Sequence, residues 1–226
     1  VPSSLLRWLD RVNAAHPWSH NDAYRRWVLR QVPRGPARVL DVGCGTGGLV
    51  RSLAARGAAA HGVDADGPTV ATARALSAGH PGATFAVADA LRLDPLILDP
   101  PPPGAGHRGY DAVTAVAVLH HLPMAEALTR WRALLRPGGV LVVVGCYREA
   151  TRRDRAVSLL AVPANLVVGL LLGRRAAASR VAMAAPTREP EATLADVRAA
   201  AARLLPGARV RRRLFWRYTL VHRAPA

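Results

Sequence analysis

Three groups of side chains in this sequence have the types and spacing to do chemistry. The first is Gly43-x-Gly45-x-x-Gly48, followed further along by Asp64. Glycines let a turn bring backbone N–H groups close to a ligand, and a carboxylate at the end of the next strand can accept hydrogen bonds from both hydroxyls of a ribose. Together they imply a nucleotide site. The second is His120-His121. Imidazole takes and gives protons near neutrality, so either histidine could serve as a general base. The third is His20-Asn21-Asp22-Ala23-Tyr24, where Ser19 or Asn21 could cap a helix while Tyr24 packs at a helix interface. Cys44, inside the glycine turn, reads as a small filler. It lies far from Cys146 without metal-ligand spacing, so no metal site is expected and a reducing, cytoplasmic setting fits.

These groups need a scaffold. Val39–Val42 is a short apolar run ended by the glycines, and Leu49–Arg56 then has helical spacing closed by Gly57. A strand over Ala59–Val63 ends at Asp64, a helix over Thr69–Ser77 follows, and a strand over Thr84–Ala88 ends at Asp89. A Pro-rich loop fills 91–109. A strand from Tyr110 through Val116, a helix over Met124–Leu135, a Pro137-Gly-Gly turn and a strand over Val140–Val144 complete the alternation. Alternating strands and helices with short turns imply parallel strands joined by right-handed crossovers, an α/β doubly wound fold of Rossmann type. Two amphipathic helices are expected over residues 3–32. A last helix spans Leu194–Leu205, and two strands, Arg209–Leu214 and Trp216–Val221, close the chain.

Composition bounds the rest. The chain has 226 residues and 50% hydrophobic content, which suits one globular domain and excludes a disordered or collagen-like polypeptide. The start of the sequence lacks a basic segment followed by an apolar one, so no signal peptide is read there. The net charge of +16 comes from arginine without any lysine. Such a charge attracts polyanions, yet Arg211-Arg212-Arg213 on a strand splits between two faces, which favours a solvated strand end over a phosphate-tracking surface. The Ala156–Gly173 run is almost wholly apolar with flanking arginines. Pro163 and Asn165 argue against a membrane span, because lipid cannot satisfy the groups they expose, so a lid over an acceptor pocket is expected and peripheral membrane contact is the alternative.

Val39-Leu-Asp41-Val-Gly43-Cys-Gly45-Thr-Gly47 resembles the first motif of class I S-adenosylmethionine-dependent methyltransferases. Gly62-Val-Asp64-Ala65, Ala88-Asp89-Ala90, Tyr110 through Leu122 and Leu134-Leu-Arg-Pro-Gly-Gly-Val-Leu-Val-Val match that family in order. The resemblance covers residues 37–146 closely and the C-terminal elements loosely. It implies a seven-stranded, mostly parallel sheet with an antiparallel C-terminal strand and N-terminal helices as a lid. It implies S-adenosyl-L-methionine as cofactor, with S-adenosyl-L-homocysteine as product. Gly43 and Gly45 would pass beneath the methionine part, Asp41 would anchor that turn, Asp64 with Ala65 would hold the ribose, and Asp89 with Ala90 the adenine. Carbonyls near Ala115 and Val116 would face the cofactor ammonium, and Tyr24 or His20 the carboxylate. His120 and His121 are the catalytic candidates, although such a pair recurs across the family and can equally form cofactor wall. Asp99-Pro-Pro-Pro differs from the Asp/Asn-Pro-Pro-aromatic motif of nucleic-acid amino methyltransferases, lying before the fourth strand with no aromatic to stack a flipped base.

The sequence therefore predicts one domain over 1–226. It comprises a helical lid over 1–36, a cofactor core over 37–146, an acceptor-site insert over 147–190 and closing elements over 191–226. The expected activity is methyl transfer to a small, apolar molecule, without specific nucleic-acid binding. An RNA or protein methyltransferase, or a domain that binds the cofactor without transferring methyl, are the alternatives.

Overall fold

A computed structural model describes residues 20–93, 109–154, 156–157 and 189–226. All of the expected first helix, most of the Pro-rich loop and all but the first two residues of the Ala156–Gly173 run lie outside these. The elements run α1 (His20–Gln31), β1 (Arg38–Val42), α2 (Gly48–Ala54), β2 (Ala59–Asp64), α3 (Gly67–Leu76), β3 (Ala83–Val87) and β4 (Tyr110–Val116). A 3-10 turn (Leu119–His121), α4 (Met124–Ala133), β5 (Leu135–Cys146), α5 (Leu194–Leu204), β6 (Arg209–Arg212) and β7 (Arg217–Arg223) follow.

The strands form one seven-stranded sheet in the order β3-β2-β1-β4-β5-β7-β6. Strands β1 to β5 pair in parallel. Strand β7 is antiparallel to both its neighbours, so β6 again runs with β5. The order reverses at β1, where the chain has wound outward to β3 and then returns to β4 on the other side. That reversal makes a switch point between β1 and β4, with the loops that follow them at the carboxyl edge, where α/β sheets bind ligands.

Alternation along the strands builds a core on each face of the sheet. Leu40, Val42, Val113, Leu141 and Val143 meet Leu128 and Trp131 of α4 and Val197 of α5 on one side. Val39, Ala112, Val140, Val142 and Val144 meet Val28 of α1, Val50 and Leu53 of α2 and Val70 of α3 on the other. Central strands buried on both faces read as apolar runs, which is why they stand out in the sequence.

Strand β5 departs from expectation. Instead of a turn preceding the strand, Pro137-Gly138-Gly139 is a bulge inside it: Tyr110 pairs with Leu135 while Ala112 pairs with Val140. Gly138 takes φ +72°, and a bulge tolerates a proline that has no N–H to donate. The far end of the chain closes on this bulge, with Gly138 N–H donating to the Pro225 carbonyl and Ala224 N–H to that of Gly139. The β6–β7 connection is also longer than expected, covering Arg213 to Trp216 with Phe215 and Trp216 at φ +60° and +55°.

Candidate active site

The glycine turn leaves β1 through left-handed backbone at Gly43 (φ +67°), Gly45 (+53°) and Gly47 (+77°). Gly43 must be glycine for a second reason. A Cβ there would sit 2.1 Å from Val118 Cγ2, in the loop that follows β4. The two loops flanking the switch point thus touch at Gly43. The turn is also tied to β2, since Gly43 N–H and Cys44 N–H both donate to the Val63 carbonyl (2.8 and 2.9 Å).

Asp64 ends β2 and is half-buried. Its Oδ2 accepts from Gly45 N–H at 2.9 Å and its Oδ1 from Asp66 N–H at 3.1 Å, with the exposed Ala65 between. A carboxylate has about four acceptor sites, so roughly two remain for ligand hydroxyls. The anchor of the glycine turn is therefore Asp64. Asp41, expected in that role, lies opposite Thr114 in the β1–β4 register and accepts from its hydroxyl at 2.7 Å. Burial pushes the Asp41 carboxyl up to about 7, against the Thr114 hydrogen bond and with help from the nearby Asp64 charge. Thr114 is the lone aliphatic hydroxyl in the Tyr110–Val116 run, a signal the sequence did offer.

Asp89 and Ala90 follow β3 on the same edge. Asp89 is exposed; its Oδ1 accepts from Leu91 N–H at 2.9 Å, forming a tight turn, and Arg92 lies 3.8 Å from its Oδ2. Ala88 N–H donates to the Asp64 carbonyl, so the two acidic loops are adjacent. The buried Trp131 of α4 donates from Nε1 to the Ala90 carbonyl at 3.0 Å. No spacing rule reveals this contact across 41 residues.

Val116 is the last residue of β4, and Ala117 turns the chain at φ +57° with its N–H on the Val144 carbonyl (2.7 Å). For a residue with a Cβ this conformation is costly and tends to mark functional sites. It delivers the 3-10 turn carrying His120 and His121, both half-buried, with ring centroids 4.0 Å apart. Cys44 stays a thiol, because burial pushes its pKa well above the usual range and the Asp41 and Asp64 charges push it further. Among the described residues no group of three His, Cys, Asp or Glu is arranged to hold a metal ion.

Tyr24 takes a different place from the one expected. Its hydroxyl donates to the Leu214 carbonyl in the β6–β7 connection at 2.7 Å. Burial pushes it up to about 12, against the Arg213 and Arg217 charges. Its one proton is thus committed to backbone, and α1 is strapped to the hairpin. His20 opens α1, and its side chain lies outside the described residues.

Glycine turn, Asp64, Asp89–Ala90 and Val116 therefore line the carboxyl edge of β1 to β4. A family model described as a methyltransferase domain matches residues 40–141, the segment that supplies all of them. An uncharacterized methyltransferase of Mycobacterium tuberculosis is 35% identical over 214 residues, covering 92% of this chain and 98% of the relative. The chain belongs to the class I S-adenosylmethionine-dependent methyltransferases. A ubiquinone biosynthesis O-methyltransferase of Paracidovorax citrulli is 30% identical over 169 residues, 73% of this chain and 66% of that protein. The fold is shared with magnesium protoporphyrin IX methyltransferase of Synechocystis, solved with S-adenosylhomocysteine bound, at TM-score 0.55 and 19% identity over 90% of this chain and 81% of that one. The protein is an enzyme and S-adenosyl-L-methionine is its methyl donor. The cradle suits that donor on its own chemistry: glycine backbone shaped for close approach, and beside it the half-buried Asp64 carboxylate with acceptor capacity left.

Proposed function

We propose that this methyltransferase acts on a small, apolar acceptor. The observation that carries the reading is where the 147–193 segment leaves and rejoins the fold. Tyr147 follows β5 at the carboxyl edge, and Arg148 bridges to Thr193 with its N–H on the Ala192 carbonyl at 2.8 Å. Both ends of a segment carrying the apolar 156–173 run are thus pinned beside the cofactor edge, where an acceptor must enter. The relative named for ubiquinone biosynthesis supports an acceptor of this class.

The donor supplies, when bound, a methyl group already activated by its positive sulfur. What remains for the protein is alignment, exclusion of water and removal of a proton if the acceptor is neutral. In this reading Asp64 and Ala65 hold the ribose, Asp89 and Ala90 the adenine, and the Gly43–Gly45 turn and the Val116 carbonyl the methionine end. His120 or His121 takes the acceptor proton. Tyr24 cannot be that base, since it holds its own proton up to about pH 12. Asp41 cannot reach solvent, being 3% exposed.

The test is incubation of the full chain with isotope-labelled S-adenosylmethionine and an extract of small molecules, followed by mass spectrometry. Label in an organic-extractable small molecule is expected. Label recovered in RNA or protein instead would overturn the acceptor class. Replacing the base histidine with Gln should cut turnover by about 10² to 10⁴ while donor affinity holds. Loss of neither turnover nor its pH dependence in both single variants would remove the histidines from the mechanism.

A further inference from the structure

The outer end of the sheet carries a second concave feature, away from the cofactor loops. Arg209 pairs with Val221 and Arg211 with Thr219 across the β6–β7 ladder, so these side chains share the sheet face covered further in by α1. Arg213, following β6, and Arg223, ending β7, fall on the same face and line the same groove of about 400 Å³. Trp27 and Gln31 of α1 form its other wall. Arg212 points to the opposite face and pairs with Asp154 at 2.7 Å. None of the groove's lining side chains is acidic, and among the described residues no carboxylate pairs with any of these four arginines.

We infer that this groove binds the phosphodiester backbone of single-stranded nucleic acid without sequence selection. Three observations favour that occupant. Alternate strand residues place Arg209, Arg211 and Arg213 in a row about 7 Å apart, a repeat that an extended chain of phosphates can follow. Trp27, over which the Arg213 guanidinium stacks at 5.5 Å, supplies an aromatic wall of the kind on which bases stack. The groove is recessed and runs along β6 from Pro206–Gly207 toward the carboxyl edge, whereas a membrane would need a flat or protruding face. The net charge of +16 would draw such a polyanion in from a distance. The groove is a holding surface, and the inference does not rest on which acceptor is methylated.

Fluorescence anisotropy of the full chain with labelled oligouridine and a mixed-sequence oligonucleotide, each about a dozen nucleotides, tests this. Both should bind with similar affinity that falls as salt rises. Replacing Arg209, Arg211 and Arg223 with Gln should weaken binding about tenfold at about 50 mM salt and lower the slope of log K against log salt by about 2. Arg211→Gln alone should lower it by about 0.7, which keeps the test valid if the triple variant folds poorly. A control triple, Arg130→Gln with Arg198→Gln and Arg203→Gln on α4 and α5 of the other face, should stay within about threefold of wild type. Equal losses in both triples would show unspecific net charge and overturn the inference. So would failure to bind either oligonucleotide, whether or not vesicles of anionic phospholipid are bound.

Discussion

The carboxylates at the cofactor edge divide their work by burial. Asp64 is reachable from solvent and holds the glycine turn, so Asp64→Ala removes the acceptor for Gly45 N–H and, in the proposed reading, the ribose contact as well. Loss of hydrogen bonds to a charged group should weaken S-adenosylmethionine and S-adenosylhomocysteine alike by about 10- to 100-fold in calorimetry. Unchanged affinity for both would break the ribose assignment. Asp41 is sealed in the sheet, and its behaviour should be the reverse of a useful charge. The unfolded chain ionises it from about pH 4, while the folded chain keeps it protonated up to about 7, so stability is lost across that window as pH rises. Asp41→Asn keeps an acceptor for the Thr114 hydroxyl and removes the ionisation, each pH unit of the separation being worth about 1.4 kcal/mol. The variant should melt above wild type at about pH 8 and show no such advantage at about pH 4. A pH-independent difference would mean that Asp41 does not titrate there. The sequence made both carboxylates visible, but the resemblance put the anchor at Asp41, whereas Gly45 N–H meets Asp64. Which acid meets which N–H depends on the β1–β2–β4 register, and that pairing is made between residues far apart in the chain.

Helices and loops hold these residues by contacts with no local signature. Trp131 sits on the buried face of α4, where its periodicity marks it only as core, yet its indole holds the loop after β3 by the Ala90 carbonyl. Trp131→Phe keeps most of the ring volume and breaks that one bond. Donor affinity should fall several-fold, and hydrogen exchange at Leu91 should quicken while the strands stay protected. If affinity falls without a local change in exchange, the tryptophan acts through general packing. Beyond β5, burial alone would raise Asp154, but hydrogen bonds from Thr151 and the Ala150 N–H, with the Arg212 charge, hold it at about 2. This stabilisation is complete above about pH 4 and disappears as pH falls toward 2. Arg212→Met should therefore move the acid-unfolding midpoint upward, as circular dichroism during acid titration would show. The helix starts and β1 to β4 were legible to within a residue or two, because glycines and acids punctuate apolar runs. The β5 bulge was read as a turn, and the hairpin tip at Phe215–Trp216 carries none of the residues that announce left-handed backbone.

For the whole molecule, the parallel pairing of β1 to β5 followed from the alternation of elements, the seven-stranded sheet with its antiparallel end from the resemblance, and the match to the family over 40–141 fits both. Less legible was what a strongly basic surface does. The split of Arg211 and Arg213 from Arg212 was foreseen, but the groove they form with α1 depends on the Tyr24 strap, which joins residues 190 apart. Even so, RNA is not expected as the methyl acceptor: bulk RNA incubated with labelled donor should remain unlabelled at about physiological salt, where backbone contacts weaken steeply. Methylated nucleosides after digestion would reverse that expectation. The same architecture sets how the enzyme can be handled. Because β7 runs against its neighbours and residues 224 and 225 close on the β5 bulge, the last residues lie at the amino edge, across the sheet from the donor cradle. Coupled to a sensor surface through a cysteine placed at position 224, the enzyme would present its cradle outward, so an immobilised assay of donor or acceptor binding need not contend with the tether.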